Sequence, residues 1–170
     1  MLQEESHNFI RKVQLELHQE IGIGLPRQTP HITIKCPFDT EEVDSYLSYF
    51  QELARNIQPF ELVFKNFGYF GEQVIFLEVV ATEALIQLHR QIVNDLEETF
   101  GLQPDPYDWP NVKFHASIAG FQSPKRFKAA KAYLSQYTPN FNLRITKIGV
   151  FYYLGPGQSW IVLQQYALGG

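Results

Sequence analysis

The sequence has little of what several classes of site require. One cysteine in 170 residues excludes a disulfide framework and a cysteine-rich zinc site. A net charge of −4, from 14 basic and 18 acidic residues, argues against a long basic surface for duplex nucleic acid. No apolar run is long enough to span a membrane, and the N-terminal residues lack the apolar stretch of a signal peptide. We therefore expect a soluble, cytoplasmic, monomeric protein with no membrane partner.

The segment "PHITIKCPF", residues 30–38, alternates polar and apolar residues as a half-buried strand does. Successive side chains of a strand point to opposite faces, so His31, Thr33 and Lys35 share one face. The apolar residues between them share the other, which makes Cys36 a core thiol. The pattern predicts a strand that buries one face and leaves an imidazole, a hydroxyl and an ammonium on the other.

The same motif returns in "VKFHASIAGF", residues 112–121. Here Lys113, His115 and Ser117 share one strand face, and apolar side chains share the other. A predicted helix precedes each motif, and a helix and two strands follow each. The predicted helices span residues 3–20, 39–57, 82–100 and 123–137, and the strands that follow the second and fourth helices span 59–70, 73–80, 140–153 and 159–168.

The two halves of the chain align as an internal repeat. His115 follows His31 by 84 residues, and an offset of 81 aligns the later strands. This offset places Phe60 on Phe141, Leu62 on Leu143 and Gly68 on Gly149. We predict one α+β domain over 1–170, made of two pseudo-symmetric lobes with approximate repeat units 3–81 and 82–168. Each lobe is expected to bury an antiparallel sheet under its own helices, and the polar faces to meet at a central groove where both histidines converge.

Two alternatives to a shared catalytic site remain open. A single histidine motif is often structural, although its repetition at equivalent positions favours a joint site. Histidine is also the commonest metal ligand. However, neither motif has a carboxylate, a further cysteine or a third histidine beside it in sequence, so the two histidines alone are a poor set of zinc ligands. We expect neither metal nor cofactor, and we expect the other three histidines, His7, His18 and His89, on solvated helix surfaces.

Five further residues are candidates for substrate binding. Lys35 and Lys113 share a face with the histidines, where each either holds phosphate or extends to solvent at a strand end. Tyr107 and Trp109, in the proline-rich loop before the second motif, either stack on a base or fix the loop. Tyr152 lies near a strand end, where it is placed to line the groove.

Two His-x-Thr/Ser motifs, each beginning a strand in one half of a duplicated α+β unit, resemble the two-histidine (2H) phosphoesterase superfamily. Its members include the 2′–5′ RNA ligase-like proteins and RNA 2′,3′-cyclic phosphodiesterases. The resemblance runs through "PHITIKCPF", "KFHASIAGF" and the strands after each, nearly the whole chain. It implies that four residues face the groove and act without metal on a 2′,3′-cyclic phosphate or a related ester. This implied catalytic set is His31, Thr33, His115 and Ser117.

The chain departs from the family pattern at three points. Members usually begin with a strand before the first helix, whereas this chain begins almost at the helix, so we expect an edge strand to be missing. Ser117 stands where threonine is commoner, which keeps the hydroxyl. "AGF", residues 119–121, stands where RNA-processing members often have a basic residue. The last departure affects the assignment of an RNA end as substrate more than the assignment of phosphoesterase chemistry.

The expected reaction is hydrolysis of a 2′,3′-cyclic phosphate, or of a 2′-5′ phosphodiester, at a nucleotide or short RNA end. Two histidines near the ordinary pKa of ~6.5 can divide the acid and base roles at neutral pH. The resemblance makes His31 the acid and His115 the base. Two alternatives stay open within the enzymes, namely ADP-ribose cyclic phosphate and 2′,5′-oligoadenylate as substrates. From another class, the alternative is a non-catalytic RNA- or nucleotide-binding protein.

Overall fold

The computed structural model describes Leu2, residues 4–109 and residues 112–169 of the chain. Pro110 and Asn111 of the predicted proline-rich loop lie outside the described residues, as does the first residue of the predicted opening helix. Helices and strands in chain order are α1 (Glu4–Ile21), α2 (Val43–Asn56), β1 (Phe60–Phe70), β2 (Val74–Val80), α3 (Glu83–Phe100), β3 (His115–Gly120), α4 (Pro124–Leu134), β4 (Asn140–Ile145), β5 (Lys147–Tyr153) and β6 (Trp160–Ala167).

The strands form two antiparallel sheets. One sheet has four strands in the order β3-β2-β1-β4, and the other is the β5-β6 hairpin. This arrangement of helices on antiparallel sheets confirms the predicted α+β class. The four-stranded sheet takes two strands from each predicted repeat unit, so the two sheets do not divide at the boundary between the units.

Helices cover one face of each sheet. α1 and α4 pack together over the four-stranded sheet, where Phe9 of α1 contacts Phe67 and Phe127 of α4 contacts Tyr69. α2 packs against β5 and β6, and buried residues of α2 and α3 share a second apolar cluster with Ile148. Among the described residues, no helix is both long and apolar enough to cross a membrane.

Helix ends follow the sequence signals closely. Thr82 caps α3 by accepting a hydrogen bond from the N–H of Leu85, and Gly101 ends the helix in the left-handed conformation with φ of 68°. Ser123 caps α4 in the same way, with Pro124 at its first position. α2 differs, because its cap residue Glu42 makes no side-chain capping bond. Among the described residues, no strand precedes α1.

The predicted strand over residues 30–38 is wrong, because this segment has no regular secondary structure. In its second half, backbone groups bond to side chains instead of to a neighbouring strand. The carbonyl of Ile34 accepts from His89 of α3, and the N–H of Cys36 donates to Asp108 in the proline-rich loop. These bonds satisfy the backbone polar groups that a strand ladder would otherwise pair.

The predicted strand over 140–153 is two strands in different sheets. It breaks at Thr146, whose carbonyl accepts the N–H of Leu168. The strand aligned with it, β1, has an irregular register around Asn66, which has a positive φ of 60°. Before these irregularities, residues 60–65 of β1 pair with residues 140–145 of β4, so that Leu62 lies opposite Leu143. The sequence repeat aligns these same two residues, although the duplication itself stays a prediction.

Candidate active site

His115 and Ser117 lie on the face of the four-stranded sheet opposite to its helices. They are the first and third residues of β3, and the residues between and after them, Ala116 and Ile118, are buried in the core. This is the alternation that the sequence predicted. The register of β2 places Glu78 opposite His115 and Phe76 opposite Ser117 on the same face.

The His115 ring is fixed by the backbone and by two aromatic rings. Its Nδ1 lies 2.7 Å from the carbonyl oxygen of Lys113, and a carbonyl only accepts, so Nδ1 carries the proton. The ring centroid lies 4.9 Å from that of Phe70 and 5.1 Å from that of Phe76. Nε2 is therefore the nitrogen left to accept or donate a proton.

His31 makes the same set of contacts from its irregular segment. Its Nδ1 donates to the carbonyl of Thr29, two residues before it, over 2.8 Å. Its ring centroid lies 4.8 Å from that of Phe151 in β5. The offset of 81 that aligns the repeats also aligns Phe70 with Phe151. Each histidine thus has a bond to the carbonyl two residues earlier and a phenylalanine at the matching strand position.

The pKa of His31 is lowered from its ordinary value. Burial is the main cause that lowers the pKa of His31 below its ordinary value of 6.5, and the positive charge of His115 lowers it further. The hydrogen bond to Thr29 acts in the opposite direction and offsets only part of the effect. The contribution of His115 is the smallest of these.

The two hydroxyl residues are open to solvent. Thr33 is exposed two residues after His31, and Ser117 is exposed two residues after His115. Each hydroxyl is thus available to a ligand beside its histidine. The catalytic role of the four residues stays a prediction.

Both candidate lysines are held by carboxylates. Lys35 is buried and its Nζ lies 2.6 Å from Oδ2 of Asp108, which is also buried. Lys113 is half exposed and its Nζ lies 3.2 Å from Oε1 of Glu78. Lys35 therefore does not reach solvent at a strand end, and neither ammonium is free of a counter-charge.

Asp108 organises the segment that follows His31. It binds the ammonium of Lys35 and accepts the backbone N–H groups of Cys36 and Asp105. Burial alone would raise the pKa of Asp108, but the lysine and the two N–H groups outweigh it and hold the pKa below its ordinary value. Burial and the neighbouring Asp108 raise the pKa of Cys36 to about 12, so the thiol stays protonated.

His89 is buried, so its predicted place on a solvated helix surface is wrong. Its Nδ1 lies 2.6 Å from the carbonyl oxygen of Ile34, and its Nε2 lies 2.6 Å from that of Asp108. Because carbonyl oxygens only accept, both bonds form together only when the ring carries both protons. The side chain joins α3 to the segment after His31 and to the proline-rich loop.

Glu78 is the residue near the site that the sequence did not indicate. It lies far from both motifs in sequence and comes opposite His115 only through the register of β2 with β3. The alternation in "QVIFLEVV" could have predicted the strand face on which Glu78 lies, but it could not have predicted that Glu78 lies opposite a histidine. Among the residues that the structure describes, no group of three or more His, Cys, Asp or Glu side chains is placed to hold a metal ion.

Of the two aromatic candidates in the proline-rich loop, Trp109 packs against α3. Tyr107 is exposed, and Trp109 lies under the guanidinium of Arg90 at 4.9 Å from its ring. Trp109 lines a cavity of about 450 Å³ along α3 whose lining includes neither His31 nor His115. Trp109 thus fixes the loop against α3, one of its two expected roles.

Tyr152 lies on the face of β5 away from His31, and its predicted place in a groove stays a prediction. Neighbouring residues of a strand alternate in direction, and Phe151 is the one that contacts His31. Ile148 points to the same face of β5 as Tyr152, and it is buried among residues of α2 and α3. Tyr153, two residues after Phe151, points to the same face of β5 as Phe151.

Comparison with known proteins decides the family. The family model described as the 2'-5' RNA ligase superfamily matches residues 2–157, nearly the whole chain. The chain belongs to this superfamily. The expected family of two-histidine phosphoesterases is therefore confirmed.

Relatives of this superfamily member are similar over most of their length. A Bacillus licheniformis protein provisionally named a phosphoesterase is 25% identical over 146 residues, covering 82% of this chain and 80% of its own. A Geobacillus kaustophilus protein with the same provisional name is 24% identical over 145 residues, covering 83% and 79%. The crystal structure of TT0787 of Thermus thermophilus superposes with a TM-score of 0.71 at 20% identity, over 99% of this chain and 94% of the other. That superposition shows that the two share a fold.

Proposed function

We propose that this 2'-5' RNA ligase superfamily member is a metal-independent phosphodiesterase that hydrolyses a 2′,3′-cyclic phosphate at a nucleotide or RNA end. The observation that carries the proposal is the matched setting of His31 and His115. Each donates from Nδ1 to the carbonyl two residues earlier, and each ring rests on a phenylalanine at the aligned strand position. Two imidazoles set in this way suit two proton transfers at one phosphate.

The reaction needs one base and one acid. Nε2 of the base takes a proton from water as its oxygen bonds to phosphorus, and Nε2 of the acid gives a proton to the ribose oxygen that leaves. The phosphorus gains one oxygen and loses another, so the product is a phosphomonoester with a free neighbouring hydroxyl. We assign His31 as the acid and His115 as the base, as the family resemblance implies.

The hydroxyls of Thr33 and Ser117 stabilise the charge that develops on the non-bridging phosphate oxygens. Both are exposed beside a histidine, where they can donate hydrogen bonds to the non-bridging oxygens. Their role matters here because Lys35 and Lys113 are already paired with Asp108 and Glu78. The phosphate is thus held mainly by imidazoles and hydroxyls.

Turnover of 2′,3′-cyclic AMP, with and without EDTA, tests the proposal. The protein should release a phosphomonoester at an unchanged rate after chelation, and His31→Ala and His115→Ala should each lower kcat/KM by roughly 10²–10⁴-fold. Thermal unfolding of both variants controls for misfolding. Binding without turnover would favour the non-catalytic alternative, and activity restored only by a metal would overturn the proposed mechanism. ADP-ribose cyclic phosphate and 2′,5′-oligoadenylate, assayed in parallel, test the alternative substrates.

A further inference from the structure

The β5-β6 hairpin carries an exposed aromatic pair near its tip. Tyr153 pairs with Trp160 in the register, and their ring centroids lie 5.0 Å apart at an interplanar angle of 32°. Tyr153 is 44% exposed and Trp160 is half-buried. The two rings thus form an apolar platform with a solvent-facing side.

The platform lies on the same face as the contact with His31. Residues opposite each other in an antiparallel pair share a face, so the pair Phe151 and Val162 and the pair Tyr153 and Trp160 face one way. Phe151 is the residue whose ring contacts His31. Tyr153 follows it by two residues, about 7 Å along the strand. The aromatic surface therefore continues from the histidine toward the hairpin tip.

The other side of the site has no such platform. The β1-β2 hairpin turns directly after the pair Phe70 and Val74, whereas β5-β6 continues for two more residue pairs beyond Phe151 and Val162. The offset of 81 places Glu72 at the position of Tyr153, and Glu72 is an exposed carboxylate that pairs with Lys128. One flank of the site is thus extended and aromatic, and the flank beside His115 is short and charged.

We propose that Tyr153 and Trp160 form a subsite for the planar base of a nucleotide whose phosphate lies between the two histidines. This inference rests on the proposed function and adds to it the part of the substrate next to the ester. An exposed aromatic ring stacks on the π-face of any base, and this pair offers no charged partner for a second phosphate. The base lies on the His31 side, because that side alone among the described residues extends past its phenylalanine with an aromatic pair.

Tryptophan fluorescence tests the subsite without relying on turnover. The chain has two tryptophans, so Trp109→Phe leaves Trp160 as the reporter. Titration with adenosine 3′-monophosphate should quench its emission, and ribose 5-phosphate, which has no base, should bind more weakly and quench little. Equal affinity for the two probes, measured by calorimetry, would overturn the subsite.

A matched pair of variants locates the effect. Tyr153→Ala should weaken binding of adenosine 3′-monophosphate by about 5- to 100-fold, the loss typical when an aromatic that stacks on a base is removed. Binding of ribose 5-phosphate should not change. Tyr152→Ala is the control, since Tyr152 is next in the chain and equally exposed but on the opposite face. An equal loss in both variants, or a loss for both probes in Tyr153→Ala, would contradict the proposal.

The outcomes separate this inference from the proposed function. If the protein binds adenosine 3′-monophosphate through Tyr153 but hydrolyses no cyclic phosphate, the subsite is supported and the proposed function is contradicted. If the protein hydrolyses 2′,3′-cyclic AMP and Tyr153→Ala leaves kcat/KM unchanged, the proposed function is supported and the subsite is contradicted.

Discussion

At the scale of single residues, one backbone bond sets the chemistry of each histidine. Donation from Nδ1 to a carbonyl fixes the ring orientation and leaves Nε2 for proton transfer. Burial lowers the pKa of His31, and the charge of His115 lowers it further. Two imidazoles with this matched geometry suit an acid and a base that act on one phosphate.

The assignment of His31 as the acid has a consequence for the pH profile. An acid must carry its proton in the free protein, and the pKa of His31 is lowered from 6.5. As pH rises through this lowered value, His31 loses its proton, so one limb of the bell-shaped kcat/KM profile should lie below pH 6.5. The profile for 2′,3′-cyclic AMP, compared with that of Thr33→Ala, measures it. A profile with both limbs well above pH 6.5 would contradict a catalytic His31 whose pKa is lowered.

The sequence was informative about residues whose role follows from local alternation. His31, Thr33, His115 and Ser117 could be selected because a period of two, seen twice, needs no knowledge of distant contacts. Lys35 and His89 could not be placed in this way. Their partners lie 73 and 55 residues away, and only the folded chain brings them together.

At the scale of elements, the segment that carries His31 is held by side chains rather than by a ladder. His89, Asp108 and Lys35 take the place of strand hydrogen bonds after His31. Helix positions could be predicted within a few residues, since periodicity and caps are local signals. The strand prediction over 30–38 failed because alternation reports which side chains are buried, and not what the backbone bonds to.

Removing the carboxylate of Asp108 should destabilise the protein strongly. Asp108→Ala leaves the buried ammonium of Lys35 without a counter-charge, which typically costs about 3–5 kcal/mol of the free energy of unfolding. Urea denaturation measures the change. Glu52→Ala is the control, since it removes an exposed ion pair with Arg55 that contributes at most about 1 kcal/mol. Equal effects of the two substitutions would show that the buried pair does not hold this segment.

Gly68 leaves room for a ring that supports His115. A Cβ at Gly68 would fall on the Phe76 ring, which is fully buried and contacts His115. Gly68→Ala should therefore displace Phe76, cost about 1–3 kcal/mol of stability and lower kcat/KM on 2′,3′-cyclic AMP. Gly120→Ala is the matched control at the end of β3, where an added Cβ meets nothing within 4 Å. Unchanged stability and activity in Gly68→Ala would exclude this supporting role.

At the scale of the whole molecule, each histidine meets a strand of the other predicted repeat unit. β3 with His115 pairs with β2 of the first unit, and His31 contacts Phe151 of the second. The sequence indicated two equivalent halves, but it could not show which strands pair, because the hydrophobic pattern of a strand does not name its neighbour. The four-stranded sheet built from both units is the feature that only the structure reveals.

The central claim is that His31 and His115 act on one phosphate as a unit, and a double-mutant cycle tests it most directly. We would measure kcat/KM on 2′,3′-cyclic AMP for the wild type, His31→Ala, His115→Ala and the double variant, with thermal unfolding of each as the control for folding. A pair that works together should give a double variant whose loss falls well short of the product of the two single losses. Losses that multiply fully, or wild-type turnover in either single variant, would contradict a concerted pair.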